Sequence, residues 1–229
     1  MAQVDMHPIF EKLLHQANPI YERFYLTVDH GGRLKATSLS TAKIMDVSQS
    51  TIENIAIAAP FHDYSKMIWP SKMEWSQWET WGKFEHNLKY SHPVASYGFF
   101  MNDLGIISTK AVKRVQREYS GVQEIIENHH ENWDGTGYPH GLEGKGIPLG
   151  ARILNLTDSY DALRCPRWYR DGHNRLMDHD TTIDRLKKEV GAQFDPKVWA
   201  AFLEMDRGYL DELYKDVKNI PPPPGWRNN

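Results

Sequence analysis

At 229 residues, with 40% hydrophobic and 25% charged residues, the chain has the size and composition of one soluble globular domain with a sizeable core. Its net charge of -3 gives no reason to expect the dense basic stripe that a nucleic-acid polymer requires, while leaving room for a small anionic ligand held by a few cations. Cys165 is the single cysteine, which excludes an intramolecular disulfide and a thiolate metal cluster. No run reaches the roughly 18 apolar residues of a membrane span, and Met1 to His15 lacks a signal-peptide pattern. A cytoplasmic protein without membrane contact is expected.

In chain order, helical spacing predicts one or two helices over 8–28, with Pro19 in a first turn after Asn18, and another over 33–46. Ser50-Thr51-Ile52-Glu53 has the form of a capping box, and Ile52, Ile55, Ala56 and Ala59 recur behind it as one buried stripe. This helix is expected to bend at Pro60 and to deliver His62 and Asp63 at its far end. Further helices are expected over 74–101, 109–130, 148–163, 178–190 and 195–217. Between 131 and 148 lies a loop rich in glycine, with Gly135, Gly137, Gly141, Gly144 and Gly146. The tail from Pro221 to Pro224 onward is extended rather than helical. Neither strand-like alternation nor an internal repeat appears, so a mostly α, single-domain protein follows. Trp69, Trp75, Trp78 and Trp81 crowd one segment and read as core packing or an oligomer contact in preference to a base-stacking lip.

The chain has eleven histidines, and one taken singly usually has a bland explanation. Three features exceed it. His62-Asp63 closes an apolar helix, where a charged pair is costly without a partner. His129-His130-Glu131 ends another helix, and Asp158 lies in the largely apolar run Ile153-Leu154-Asn155-Leu156-Thr157-Asp158. Neighbours on a helix point about 100° apart. Two adjacent ligand pairs, His62-Asp63 and His129-His130, therefore suit two ions better than one, with a carboxylate such as Asp63 bridging them. Ligands of nitrogen and oxygen without sulfur suit iron, manganese, zinc, cobalt or nickel.

Ala58-Ala59-Pro60-Phe61-His62-Asp63-Tyr64-Ser65-Lys66 resembles the HD-superfamily signature AAxLHDxGK. His129-His130-Glu131-Asn132-Trp133-Asp134-Gly135-Thr136-Gly137-Tyr138-Pro139 is the HHExxDGxGYP signature of its HD-GYP branch. Ala151-Arg152-Ile153 through Asp158-Ser159-Tyr160-Asp161-Ala162-Leu163, Arg167-Trp168-Tyr169-Arg170 and Gly191-Ala192-Gln193-Phe194-Asp195-Pro196 are similar to later segments of that family, in order. The resemblance covers 26–205 as a catalytic domain, with 1–25 as a helical extension and 206–229 as a helix end and proline-rich tail. It implies an all-α HD helical bundle with a Gly-rich GYP loop, and hydrolysis of cyclic di-GMP to pGpG or GMP by a hydroxide bridging two divalent ions, iron or manganese first.

By similarity His30, His62, Asp63 and Asp158 would bind one ion, and Asp63, His92, His129 and His130 the second. His86 is the rival to His92. Asp63 and Lys66 would carry the chemistry, Lys66 on the scissile phosphate, with Arg167 and Arg170 on phosphate as well. Asp161 is read as a support for a ligand or a substrate contact, and Glu131 and Asp134 as orienting groups. The Gly137-Tyr138-Pro139 loop would meet a protein partner or shape the site, and a homodimer is admitted. Leu26 stands where some members carry a glutamate associated with a third ion, so two ions are expected. Ser65 and Ser96 replace glycines and Trp168 a proline, changes expected to reshape the phosphate side. Residues 1–25 are too few for a receiver or sensory domain, so regulation is expected from elsewhere. Cys165 reads as an incidental small apolar residue. A cyclic GMP-AMP phosphodiesterase, a di-iron oxygenase and a silent binding module are the alternatives. The first differs only in substrate, and the last two conflict with the intact signature and ligand set.

Overall fold

The computed structural model describes residues 30–68, 83–103, 119–165 and 176–217. Eight α-helices lie in these stretches: α1 (His30–Ile44), α2 (Gln49–Phe61), α3 (Lys83–Asp103), α4 (Ser120–Asn128), α5 (Leu149–Arg164), α6 (His179–Lys187), α7 (Pro196–Leu203) and α8 (Arg207–Tyr214). Two 3₁₀ turns, Tyr64–Ile68 and Gly144–Gly146, join them. Among the described residues the only β-type pairings are isolated bridges, Asp134 with Glu143 and Val190 with Phe194.

The helix starts follow from side-chain oxygens that satisfy otherwise orphaned backbone donors. Asp178 accepts from Thr181 N at 2.7 Å, Asp195 from Lys197 N at 2.8 Å ahead of Pro196, and Asp206 from Tyr209 N at 2.7 Å. Asp206 thereby starts a new helix inside the predicted 195–217 segment, which divides into α7 and α8. The capping box expected at Ser50 is displaced as well. Ser48 is the cap and accepts from Thr51 N at 3.2 Å, while Ser50 is already helical. The buried stripe of α2 consists of Ile55, Ala58, Ala59 and Phe61; Ile52 and Ala56 are half-buried. Pro60 lies in its last turn, where its missing N–H removes one intrahelical bond just before the helix ends. The helix expected from 33 begins at His30. The predicted 8–28 helix, the early part of the 74–101 helix, residues 109–118 and the proline tail lie outside the described residues.

Helix α5 is the axis of the bundle, packing against α1, α2, α4, α6 and α7. Ala151, Ile153, Leu154, Leu156, Tyr160 and Leu163 are buried all around it, as a central helix requires. Gly150 lets α5 touch α4 and α2: a Cβ there would lie 2.4 Å from Ile125 Cδ1 and 3.2 Å from Ile55 Cγ1. Leu210, Tyr214 and Val217 join the same core as Leu34 and Ile153, so residues 207–217 are part of the packed domain rather than an appendage.

Gly150→Ala is expected to destabilise the fold by about 1–3 kcal/mol through overpacking. In urea unfolding, its combination with Ile125→Ala should cost less than the sum of the two single changes, because the second opens the space that the first fills.

Candidate metal centre

Three histidines project from places where a helix leaves a backbone carbonyl unclaimed. His62 follows the last residue of α2 and its Nδ1 lies 2.8 Å from Ala59 O. His129 follows α4, with Nδ1 2.7 Å from Ile126 O. His92 precedes Pro93 inside α3 and uses Lys89 O. Pro93 has no N–H to take that carbonyl, which leaves it for the imidazole. A carbonyl can only accept, so each Nδ1 donates, and in the neutral imidazole Nε2 keeps its lone pair. His30, in the first turn of α1, has Asp161 instead, with Nδ1 2.8 Å from Oδ2.

The Nε2 atoms converge with carboxylates into two groups. His30, His62 and Asp158 form one, and Asp63, His92, His129 and His130 the other, each with ligand atoms within 4.8 Å of one another. Asp158 Oδ1 lies 3.5 Å from His30 Nε2 and 3.8 Å from His62 Nε2. Asp63 stands between the groups. Its Oδ1 is 3.0 Å from His92 Nε2 and 3.8 Å from His129 Nε2, while its Oδ2 is 3.2 Å from His62 Nε2. His130 Nε2 lies 3.2 Å from His92 Nε2. His129 Nε2 is buried without a hydrogen bond, a costly state for a polar atom. Such an atom, aimed at a carboxylate among other imidazoles, fits a divalent cation. His86 lies within α3, but its side chain is outside the described residues.

Charge in the centre is strongly perturbed. Burial and the neighbouring His62 hold the His129 imidazole well below its ordinary range; burial with His129 and His92 does the same for His130. Burial and Lys66 lower His92 against the opposing pull of Asp63. Burial also works to lower His62, but Asp63 and Asp158 overcome it and raise that imidazole. Burial works to raise Asp63, yet His62 and Lys66 hold it well below the usual carboxylate range.

Lys66 reaches the centre from a turn rather than from a helix face. The helix does not continue past His62; the 3₁₀ turn brings Lys66 Nζ to 2.5 Å from Asp63 Oδ2. In the same turn Ser65 N donates to Ser96 Oγ at 3.0 Å, Ser65 Oγ to His92 O at 3.0 Å, and Ser96 Oγ to Ser65 Oγ at 3.1 Å. Both serines are buried. They tie the turn that follows Asp63 to the helix carrying His92.

Asp161 has no surface for a substrate, which corrects that expectation. It is buried, and its carboxylate accepts from His30 Nδ1, from Arg33 Nε at 2.7 Å and Nη2 at 3.2 Å, and from Tyr214 OH at 2.8 Å. Burial opposes ionisation there, but His30 and Arg33 hold the group well below the usual range. Cys165 is not incidental: its thiol donates to Asp161 Oδ2 at 3.2 Å and accepts from Arg33 Nη2 at 2.9 Å. Arg33 and Tyr214 received no role from sequence. Arg33 had a signal, standing three residues after His30 on one helix face. Tyr214 had none.

Glu131 organises the loop, accepting from the backbone N–H groups of His140, Gly141 and Leu142 at 2.6, 3.1 and 3.0 Å. Asp134 accepts from Thr136 N and Oγ1 at 3.0 and 2.7 Å and has no contact with either ligand group. Gly135 has φ +81°, whereas Gly137 is needed for close approach: a Cβ there would lie 2.2 Å from Asn132 N. Tyr138, followed by a cis bond to Pro139, stacks on His130 at 4.9 Å and meets Tyr90 edge-on at 5.0 Å. The loop is thus folded against the second ligand group. Arg167, Arg170, Trp168, Leu26 and the four tryptophans at 69–81 lie outside the described residues.

An all-helical domain that sets a His-Asp pair from one helix end against histidines from other helices has the build of an HD domain. The chain belongs to the HD domain family, whose profile matches residues 15–198, and its HHExxDGxGYP run puts it in the HD-GYP branch. It is 32% identical over 196 residues to a probable cyclic di-GMP phosphodiesterase of Vibrio cholerae serotype O1, covering 83% of this chain and 41% of that protein. It is 28% identical over 203 residues to the 3'3'-cGAMP-specific phosphodiesterase 2 of the same organism, covering 88% and 36%. Against the cyclic di-GMP phosphodiesterase response regulator RpfG of Xanthomonas campestris pv. campestris the identity is 29%, covering 80% and 44%. The chain spans less than half the length of each of these relatives. Bd1817, an HDG"Y"P protein from Bdellovibrio bacteriovorus, shares the fold, with a TM-score of 0.54 at 16% identity over 77% of this chain and 51% of that one.

Two outcomes follow from this geometry. The raised His62 must lose its proton before it can ligate, so divalent-ion binding is expected to release protons and to strengthen as pH rises through and above the ordinary imidazole range. Calorimetric titration with Mn(II) in buffers of different ionisation enthalpy measures the release. Ser96→Ala strands the buried Ser65 N–H and is expected to cost about 1–3 kcal/mol in denaturant unfolding.

Proposed function

We propose that this chain is a metal-dependent phosphodiesterase that hydrolyses cyclic di-GMP to pGpG or GMP. The observation that carries the reading is Asp63, whose two oxygens divide between adjacent histidine groups as a carboxylate shared by two ions would. The names of the relatives supply the substrate class. His30, His62, Asp63 and Asp158 would hold one divalent ion, and Asp63, His92, His129 and His130 the second. Donors of this kind admit iron, manganese, zinc, cobalt or nickel, and the family resemblance puts iron or manganese first. Bound there, two ions supply an activated water at neutral pH and positive charge for the phosphoryl oxygens.

The chain's own residues do the rest. Helix carbonyls and Asp161 aim the imidazole lone pairs before a ligand arrives, so little is lost to reorganisation. In hydrolysis the water oxygen forms a new bond to phosphorus, the ester P–O bond breaks, and the departing ribose oxygen takes a proton. Lys66, beside Asp63, is the proton source and a counter-charge in this reading. Arg167 and Arg170 are proposed as bidentate phosphate contacts. Tyr138, stacked on His130, would border the substrate on the side of the second group. A cyclic dinucleotide substrate goes with a cytoplasmic site of action, and no described helix is long and apolar enough to cross a membrane. The second reading, 3'3'-cGAMP as substrate, is favoured by the relative that matches 88% of this chain.

Protein loaded anaerobically with Fe(II) or Mn(II) is expected to cleave cyclic di-GMP, with products resolved by chromatography. Faster turnover of 3'3'-cGAMP moves the assignment to that nucleotide, and product formed only as O₂ is consumed overturns hydrolysis. Outer-shell changes at metal sites already cost ten- to a hundredfold, so Asp63→Ala is expected to lose more than about a hundredfold in kcat/KM; retained hydrolysis rules out the assigned centre. Lys66→Ala should lower kcat by roughly 10²–10³, as loss of one charge-stabilising donor does.

A further inference from the structure

Helix α8 lies beyond the residues that match the HD family, yet one of its side chains reaches the support of the first ligand group. Tyr214 is buried, its ring within cation–π reach of the guanidinium groups of Arg33 at 5.2 Å and Arg164 at 4.9 Å and edge-on to Tyr160 at 5.5 Å. Packing of that kind needs only an aromatic ring. The hydroxyl is an additional polar group that must find a partner when buried, and it donates to Asp161 Oδ1 at 2.8 Å. Asp161 Oδ2 faces His30 Nδ1 at 2.8 Å, and His30 Nε2 faces Asp158 Oδ1 at 3.5 Å. A line of contacts therefore runs from α8 through α5 to His30, the member of the first ligand group on α1.

The two ends of the Asp161 carboxylate have different duties. Oδ1 takes Arg33 Nε and Tyr214 OH, while Oδ2 takes His30 Nδ1, Arg33 Nη2 and the Cys165 thiol. Holding Oδ1 limits rotation of the carboxylate and so helps to fix the direction in which Oδ2 meets the imidazole. Arg33 touches both oxygens and stays in place without Tyr214. The tyrosine hydroxyl is thus a second anchor and not the sole one, which bounds the size of its effect.

We propose that Tyr214 is a positioning residue for His30, so that helix α8 is part of the first-ion site. The inference rests on the metal-centre reading given above. Tyr214→Phe keeps the ring beside its two arginines and removes one hydrogen bond to a charged acceptor. It is expected to weaken binding at one of the two sites roughly three- to tenfold, leaving the other unchanged.

Equilibrium dialysis against graded Mn(II), with metal per chain measured by elemental analysis, gives both binding curves for the full chain. In an Asp158→Ala background, which lacks a ligand of the first group alone, Tyr214→Phe should leave the remaining curve where it was. A purely structural tyrosine would lower the melting temperature of the metal-free protein and leave both curves on those of the wild type; that result overturns the proposal. A shift of the curve that persists in the Asp158→Ala background also overturns it. Wild-type protein that takes up no ion overturns the metal-centre reading and this inference together, whereas two ions bound with unchanged curves in Tyr214→Phe overturns the inference alone.

Discussion

A single buried carboxylate, Asp63, holds the arrangement together. Its oxygens lie within 3.2 Å of imidazoles from both ligand groups and within 2.5 Å of an ammonium. A carboxylate taken out of water without such partners would be neutralised or would destabilise the fold by several kcal/mol. Here the partners come from α2, the following 3₁₀ turn and α3. The two halves of the centre are thus electrostatically dependent on one group.

The fold meets that requirement with helix ends. A helix terminus leaves carbonyls without partners, and the same orphaned carbonyl three residues back fixes the ring of His62 and of His129. Pro93 produces the equivalent opening in the middle of α3 for His92. These histidines are held by backbone, which cannot change rotamer, and this gives a rigid set of lone pairs at no cost in additional side chains. His30 is the exception. Its Nδ1 faces the Asp161 carboxylate, so it depends on Asp161 and on the groups that hold Asp161.

Around this core the supporting bonds cross between helices. The Ser65–Ser96 pair joins the turn after Asp63 to α3, the Glu131 carboxylate gathers three loop amides, and Asn155 Nδ2 donates to Glu131 O at 2.7 Å. Each satisfies a buried polar group that would otherwise destabilise the domain. The centre and the hydrophobic core are one packed unit, with α5 carrying Asp158 and Asp161 through its middle.

The candidate ligands and the helical character were legible in the chain itself. Imidazole and carboxylate pairs at helix ends are unusual enough to require a partner, and motif order located His30 and His92 among eleven histidines. Apolar spacing found α5 and the approximate span of α2 because burial of one face leaves a periodic trace. It missed the cap at Ser48 and the break before Asp206, since several serines and aspartates along one stretch can serve equally well as caps. Tertiary packing alone decided which oxygen of Asp63 meets which imidazole. It also decided that Asp161 lies beneath His30 rather than beside a substrate, and that Tyr214 reaches it across 53 residues. A hydroxyl or a carboxylate carries no periodicity that names its partner; helices packed around α5 bring the two together.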